Sequence, residues 1–231
     1  MCLIALAHRA TERFPLVLAA NRDEDHERPS IAADFWSDHP DVLAGRDAVL
    51  GGTWLAITRR ARFAAVTNLR GAVRRSKSRG FLVSDFVTRG ELPQDVSEYA
   101  GFHLVAGEAG GDIAYVTPEQ QSVLARGVYG FSNAPLGETW PKTDTAIAAM
   151  RNALRSVDVD ELAAELLQFL QTPLGTNDPM RETFIEGERY GTRASTVVIA
   201  SHNEIFFCEQ TFSRGGIAQG NPRQFRFTIG S

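Results

Sequence analysis

The sequence predicts an α+β fold with largely antiparallel sheets. Short apolar runs come in pairs across tight polar turns, residues 2–8 with 14–20 and 53–58 with 62–68. A stretch of helical period at 142–171 separates these from a last group of apolar runs at 195–229. Hairpins, then helices, then hairpins again is the pattern of segregated layers, not of the strand–helix alternation that builds a parallel sheet.

The first two runs, CLIALAH and FPLVLAA, flank the polar residues 9–13 and read as two buried strands joined by a hairpin, the first strand opening at residue 2. Residues 31–41 carry Trp36 and read as irregular. TWLAIT and RFAAVTN form a second hairpin around a basic turn, ending at Asn68. Phe81, Leu82, Asp85, Phe86 and Arg89 fall at helical spacing before Gly90, which predicts a helix over 78–89 stopped by a glycine that can turn left-handed. Apolar runs recurring between Gly, Pro and Asp from 102 to 132 predict a strand meander. Pro141 then opens two amphipathic helices, one carrying Ile147, Met150 and Leu154 on a face, the other Leu162, Leu166 and Leu170. The segment 172–191, rich in Pro, Gly, Asn and acids, is long for a structureless connection in a compact domain and is expected to serve a site as a lid. Three strands, at 195–200, 205–212 and 225–229, close the chain. No repeat, low-complexity tract or linker divides it, so residues 1–231 read as one domain.

Composition narrows the partners. A 231-residue chain that is 43% hydrophobic and 23% charged is an ordinary globular composition, able to bury a core without a metal or disulfide framework. With 24 basic and 28 acidic residues the formal charge is −4, which gives nucleic acid or anionic lipid no global attraction. The apolar runs fall far short of a membrane span, so no integral insertion is expected. Met1 to Ala20 has no basic n-region and its apolar stretches are interrupted by His8, Arg9, Glu12 and Arg13, unlike a signal peptide, and two cysteines do not make a secreted framework; a reducing cytoplasm is the expected location. A small molecule is the expected partner, with the oligomeric state left open.

Two features suggest chemistry. Removal of Met1 ahead of so small a side chain would leave Cys2 with a free α-amine. Its ordinary pKa of about 7.7–8.0 would let one residue supply both nucleophile and proton acceptor. The ordinary alternative is a small hydrophobe opening a strand. The second feature is the polar run from Asn21 to Glu27, which the first hairpin folds back toward the chain start. An acid there can hold an amine, and an arginine can lower a thiol pKa or bind a substrate carboxylate. The rival reading is a divalent-metal site on Asp23, Glu24, Asp25 and His26, although the spacing matches no calcium-loop or zinc-helix pattern, and a solvated turn accounts for residues 25–27 equally well. The five histidines show no paired ligand spacing, and no phosphate-cradling or dinucleotide motif is present. The cationic run Arg70, Arg74, Arg75, Lys77 and Arg79 reads as a solvated loop that can also receive an anion at a site mouth. Trp36, Trp54 and Trp140 read as core or pocket wall.

These residues carry a resemblance. Met1-Cys2, Ala20-Asn21-Arg22-Asp23-Glu24, Gly51-Gly52-Thr53-Trp54, Thr67-Asn68-Leu69-Arg70-Gly71, Ser78-Arg79-Gly80, Gly130-Phe131-Ser132-Asn133-Ala134, Trp140-Pro141-Lys142 and Tyr190-Gly191-Thr192-Arg193 occur in the order found in the NRDE, or transport and Golgi organisation protein 2, family, from residue 1 to about 212. That family is similar in turn to the cysteine branch of N-terminal nucleophile hydrolases, which contains penicillin V acylases and bile salt hydrolases. The resemblance implies a four-layer αββα sandwich of two antiparallel sheets. It implies Cys2 as nucleophile, Asp23 as the carboxylate that positions its amine, Asn68 and Asn133 as the asparagines near the oxyanion, and Arg193 as the arginine near the nucleophile. Where the acylases carry an arginine before an asparagine, this chain has Ala20 before Asn21 and sets Arg22 beside Asp23, so Arg22 and Arg193 both stand as the arginine that tunes Cys2. Arg22, Trp54 and Arg70 are the expected substrate contacts. The expected activity is hydrolysis of a non-peptide C–N amide or related acyl bond, without metal or cofactor. The alternative is a carrier that uses the same pocket for haem or a lipid-like ligand, since members similar to this family have been linked to haem trafficking.

Overall fold

The computed structural model describes residues 2–73, 75–135, 138–178 and 180–230; Met1 and Arg74, both singled out in the sequence, lie outside the described residues. The first hairpin is present as β1 (Leu3–His8) and β2 (Leu16–Asp25), with the first strand opening one residue later than expected. Its runs are continuously apolar because both faces are covered. Leu3, Ala5, Ala7, Val17 and Ala19 face a helical layer, while Ile4, Leu6, Leu16, Leu18 and Ala20 face a second sheet. β2 outlasts its apolar run by five residues, so the charged cluster through Asp25 is strand and not turn.

Residues 31–41 are more ordered than expected. They contribute most of β3 (Ser30–Phe35), which pairs with β4 (Val42–Asp47). A register shift between Ile31 and Asp34 interrupts the two-residue period by which a strand is recognised. The second hairpin is β5 (Leu55–Thr58) and β6 (Arg62–Asn68). α1 (Gly80–Arg89) ends at Gly90, whose φ of 81° lets its N–H reach the Phe86 carbonyl. The meander is β7 (Phe102–Glu108), β8 (Ile113–Val116), β9 (Gln121–Val123) and β10 (Gly127–Phe131), but β10 leaves its neighbours and pairs with β1. α2 (Pro141–Ala153) and α3 (Val159–Gln171) follow, the latter capped by the Asp158 carboxylate. The chain closes with β11 (Tyr190–Ala200), β12 (Glu204–Thr211) and β13 (Arg223–Thr228).

Among the described residues the strands form two antiparallel sheets, ordered β10-β1-β2-β11-β12-β13 and β3-β4-β5-β6-β7-β8-β9. Apolar side chains of both sheets make the central core, α2 and α3 cover the outer face of the first sheet, and α1 covers that of the second. This is the αββα sandwich that the resemblance implied. The segment 172–189 is tied down where it meets β2. Asn21 Nδ2 donates to the carbonyls of Leu170 and Thr183 at 2.8 and 2.7 Å, and Glu182 accepts from the backbone amides of Leu174 and Thr176. No helix among the described residues is long and apolar enough to cross a membrane.

Candidate active site at the start of the first strand

β1 and β2 pair with Leu3 opposite Asn21, and extending that register by one residue sets Cys2 across from Arg22. Cys2 therefore stands at the end of a central strand, where the loops after β6 and β10 converge. Thr67 Oγ1 donates to the Ser132 carbonyl at 2.8 Å and the Arg70 amide to the Asn133 carbonyl at 2.9 Å, lacing the two sheets together at this end. The Cys2 backbone nitrogen donates to Asn133 Oδ1 at 2.6 Å, and Asn133 Nδ2 donates to the Asn68 carbonyl at 2.6 Å. Both ends of this buried amide are thereby fixed, so its oxygen, not its nitrogen, faces residue 2.

Asp23 lies one residue beyond Arg22 and on the opposite face of β2, under the helical layer. It is 5% exposed; Thr192 Oγ1 donates to its Oδ1 at 2.8 Å and the Tyr190 hydroxyl to its carbonyl at 2.9 Å. That carbonyl is 4.0 Å from Cys2 Sγ. Burial pushes the Asp23 carboxyl up from the ordinary carboxylate range, opposed first by the charge of the chain's amino group and then by Lys142 and the Thr192 hydroxyl. Lys142, in the first turn of α2, is buried in turn. Burial holds its pKa below that of an ordinary lysine, opposed by Asp23, Cys2 and Glu182.

On the inter-sheet side, Arg22 is 6% exposed and lies over Trp54, its guanidinium carbon 4.5 Å from the ring centre. Its nearest carboxylate, Glu24, is 3.8 Å away, and its Nη1 is buried with no hydrogen-bond partner among the described residues. Burial pulls its pKa below the usual arginine value, with Glu24 and Cys2 opposing. A cavity of about 430 Å³ opens here, lined among others by Cys2, Arg22, Asp23, Trp54, Asn68 and Arg79. Its wall explains two of the glycine motifs. A Cβ on Gly52 would stand 2.7 Å from the Gly80 carbonyl carbon, so only bare backbone lets the loop before β5 lie against the start of α1 and bring Arg79 to the cavity.

The structure thus brings Cys2, Arg22, Asp23, Trp54, Asn68 and Asn133 together. It does not bring Arg193 to the cysteine. Arg193 falls at the register shift between Thr192 and Ala194, and its Nη1 donates to the carbonyls of Asp25, His26 and Arg28, clamping the turn after β2. Of the two arginines left open by the sequence, Arg22 is the one beside Cys2. Arg70 is exposed, its guanidinium 5.9 Å from the Trp140 ring, and it is not among the residues lining the cavity. The metal reading loses its geometry, because alternation along β2 sends Asp23 and Glu24 to opposite faces; no group of three or more potential ligands occurs among the described residues. Two residues had no assigned role in the sequence, Lys142 and Thr192, while Arg79, read there only as part of a cationic loop able to receive an anion, lines the cavity. Lys142 carried a signal, since a lysine in the first turn of a helix opposes the helix dipole.

Residues 1–214 match the family model described as Transport and Golgi organisation 2, and the chain belongs to that family. It is 33% identical to the Transport and Golgi organization protein 2 homolog of Bos taurus, over 86% of this chain and 87% of that one. It is 30% identical to the homolog of Homo sapiens over 94% of each. Among solved structures it is similar to a Caenorhabditis elegans N-acylethanolamine-hydrolyzing acid amidase ortholog, with a TM-score of 0.52 and 10% identity, covering 86% of this chain and 92% of that one. It is also similar to the mutant C2A of a conjugated bile acid hydrolase from Clostridium perfringens, with a TM-score of 0.54 and 9% identity, covering 97% and 92%. At such identities the likeness is one of fold, that of the N-terminal nucleophile hydrolases.

Proposed function

We propose that this member of the Transport and Golgi organisation 2 family is an N-terminal cysteine amidohydrolase, cleaving a non-peptide C–N amide or related acyl bond of a small molecule through a thioester on Cys2. The observation that carries the reading is the 2.6 Å hydrogen bond from the Cys2 nitrogen to Asn133 Oδ1, beside buried Asp23 and at the edge of a cavity that the thiol lines. A strand-opening cysteine with only a packing role needs no fixed side-chain acceptor on its backbone nitrogen. The conjugated bile acid hydrolase that shares the fold was solved with alanine replacing a cysteine at the same position, 2.

Once residue 2 is freed of what precedes it, its α-amine takes the Sγ proton and the sulfur attacks the substrate carbonyl carbon. Asn133 Oδ1 orients the amine, and Asp23 holds its charged form. Negative charge developing on the carbonyl oxygen meets the Asn68 side chain from the cavity wall; one well-placed donor of this kind contributes about 2.7–4 kcal/mol in comparable hydrolases. The intermediate collapses to a thioester as the leaving amine takes the proton from the α-ammonium. A water then gives its proton to the α-amine and attacks the thioester, releasing the acid and restoring the thiol. Arg22, held over Trp54 with an unsatisfied N–H, together with Arg79, suits a substrate that carries an anionic group next to the bond cleaved.

The test joins intact mass with a variant. The working protein should lack the mass of Met1, and Cys2→Ala should fold normally while losing all turnover on a panel of N-acyl amides. Full activity in that variant would remove the mechanism.

A further inference from the structure

Lys142 lies outside the reaction as written, yet it is the most unusual charged group beside it. Its side chain is 1% exposed. A lysine with a merely structural role extends its stem and keeps its ammonium in water or in a direct ion pair. Here Nζ makes no hydrogen bond to any described residue, and it stands over the Trp140 ring, 5.6 Å from its centroid. It also follows Pro141 at the positive end of α2, where a second positive charge is unfavourable. An ammonium that meets burial and an adverse dipole without a hydrogen bond is retained only by a field of opposite sign.

That field comes from two acids. The Lys142 amide donates to the Met180 carbonyl at 3.2 Å, and Asn21 Nδ2, on Asp23's face of β2, donates to the Thr183 carbonyl at 2.7 Å, so the segment before β11 joins the start of α2 to that face; Asp23 and Glu182 are the acids whose charges favour the ammonium there. Glu182 is fixed by the amides of Leu174 and Thr176, and Asp23 by the Thr192 hydroxyl. Of the two, Asp23 is at the reacting end of the fold. Its other neighbours are Cys2 at the start of β1, Tyr190 and Thr192 on β11, and Arg22 and Glu24, which alternation turns to the far face of β2; the amino group at the chain start also favours the carboxylate, ahead of Lys142. Lys142 is therefore the lysine or arginine side chain on Asp23's own face.

We propose that Lys142 is a positioning residue: its buried ammonium keeps the Asp23 carboxyl group in the ionised form that the amine of residue 2 requires. It acts through Asp23 and touches no substrate. The inference rests on the hydrolase reading for its purpose, but its physical content, the charge state of Asp23, stands apart from turnover.

The experiment is a pH titration of the Asp23 side-chain carboxyl by carbon NMR on full-length protein labelled at aspartate, the signal assigned by its loss in Asp23→Asn. In the wild type Asp23 is expected to be a carboxylate at pH 7. Lys142→Met should lower the ratio of ionised to protonated Asp23 at a given pH by about tenfold or more, the effect of deleting one close opposite charge. Lys142→Arg should restore it. A wild-type Asp23 that is protonated at pH 7 overturns the proposal, and that result needs no variant to fold. A folded Lys142→Met protein with the wild-type titration overturns it too, as does a Lys142→Arg protein that behaves like Lys142→Met. Failure of the hydrolase reading is a different result: an active Cys2→Ala protein, or a purified chain in which residue 2 is never freed.

Discussion

Asn133 joins residue 2 to the second sheet, and two substitutions separate its two hydrogen bonds. Asn133→Ala removes the acceptor of the Cys2 nitrogen and the donor to the Asn68 carbonyl, each held at 2.6 Å. A buried group left unsatisfied costs about 1–3 kcal/mol, and Cys2 is exposed enough to recover part of its loss from water, so the sum is about 2–4 kcal/mol. At a urea m-value of about 2–3 kcal/mol per molar for a domain of this size, the midpoint should fall by about 1 M, read from the fluorescence of Trp36, Trp54 and Trp140. Asn133→Asp keeps the acceptor toward Cys2 but sets a second oxygen against the Asn68 carbonyl. Two acceptors at that separation need a proton between them, so the new carboxyl has a folded-state pKa above the ordinary value of about 3.9. A group raised in the folded state keeps its stabilising effect below the unfolded pKa and loses it as pH rises through the folded one. Asn133→Asp should therefore be close to wild type near pH 4 and fall progressively behind it toward pH 7. An Asn133→Asp protein that tracks the wild type across this range, or an Asn133→Ala protein within about 0.5 kcal/mol of it, would refute the placement of this amide.

Three further outcomes follow from the same geometry. Gly52→Ala should destabilise by about 1–3 kcal/mol, because its Cβ would meet the Gly80 backbone at 2.7 Å and neither chain segment ends in a flexible group; urea unfolding at the wild-type level would contradict this. Glu209 is 2% exposed, with its oxygens accepting from the Ala33 amide and the Thr196 hydroxyl, and burial raises its pKa; it costs stability increasingly as pH rises above the unfolded value, so Glu209→Gln should gain on the wild type between pH 4.5 and 7.5, and a constant difference would count against it. Arg22→Lys loses the flat guanidinium over Trp54, and protection of Cys2 from iodoacetamide by decanoate should weaken by about tenfold; unchanged protection would show that Arg22 does not receive the anionic group.

Much of this fold is written in short-range pattern. The first hairpin, the glycine stop of α1 and the two helices at 141–171 follow from runs and periods that burial on both faces or on one stripe enforces. β3 escapes because the register shift between Ile31 and Asp34 breaks its alternation, and Ile31 is left 56% exposed where an apolar residue suggests a buried face. The exchange of β10 into the first sheet is a long-range choice, and the run GVYGF is as good a meander strand as it is a partner for β1. At the site, residue types were legible and directions were not. An asparagine after a strand does not say which end of its amide meets the nucleophile, and that depends on the Asn68 carbonyl approaching from the other sheet. Arg193 could not be separated from Arg22 in sequence, because its position at the register shift arises only when β11 pairs with β2. Lys142 was named within a motif, but its burial depends on α2 packing on β1 and β10 and on the segment at Met180 that its amide meets, partners far apart in the chain.

The central claim is that Cys2, once it is the first residue, takes an acyl group from a substrate. Its most direct test is a rapid-mixing reaction with 4-nitrophenyl acetate, followed by acid quench and peptide mass spectrometry. The account predicts a burst of about one nitrophenolate per chain, the acetyl group on the Cys2 peptide, slow turnover afterwards, and loss of both phases in Cys2→Ala. Acetyl groups spread over lysines or on Cys208, with a time course the same in Cys2→Ala, would contradict it.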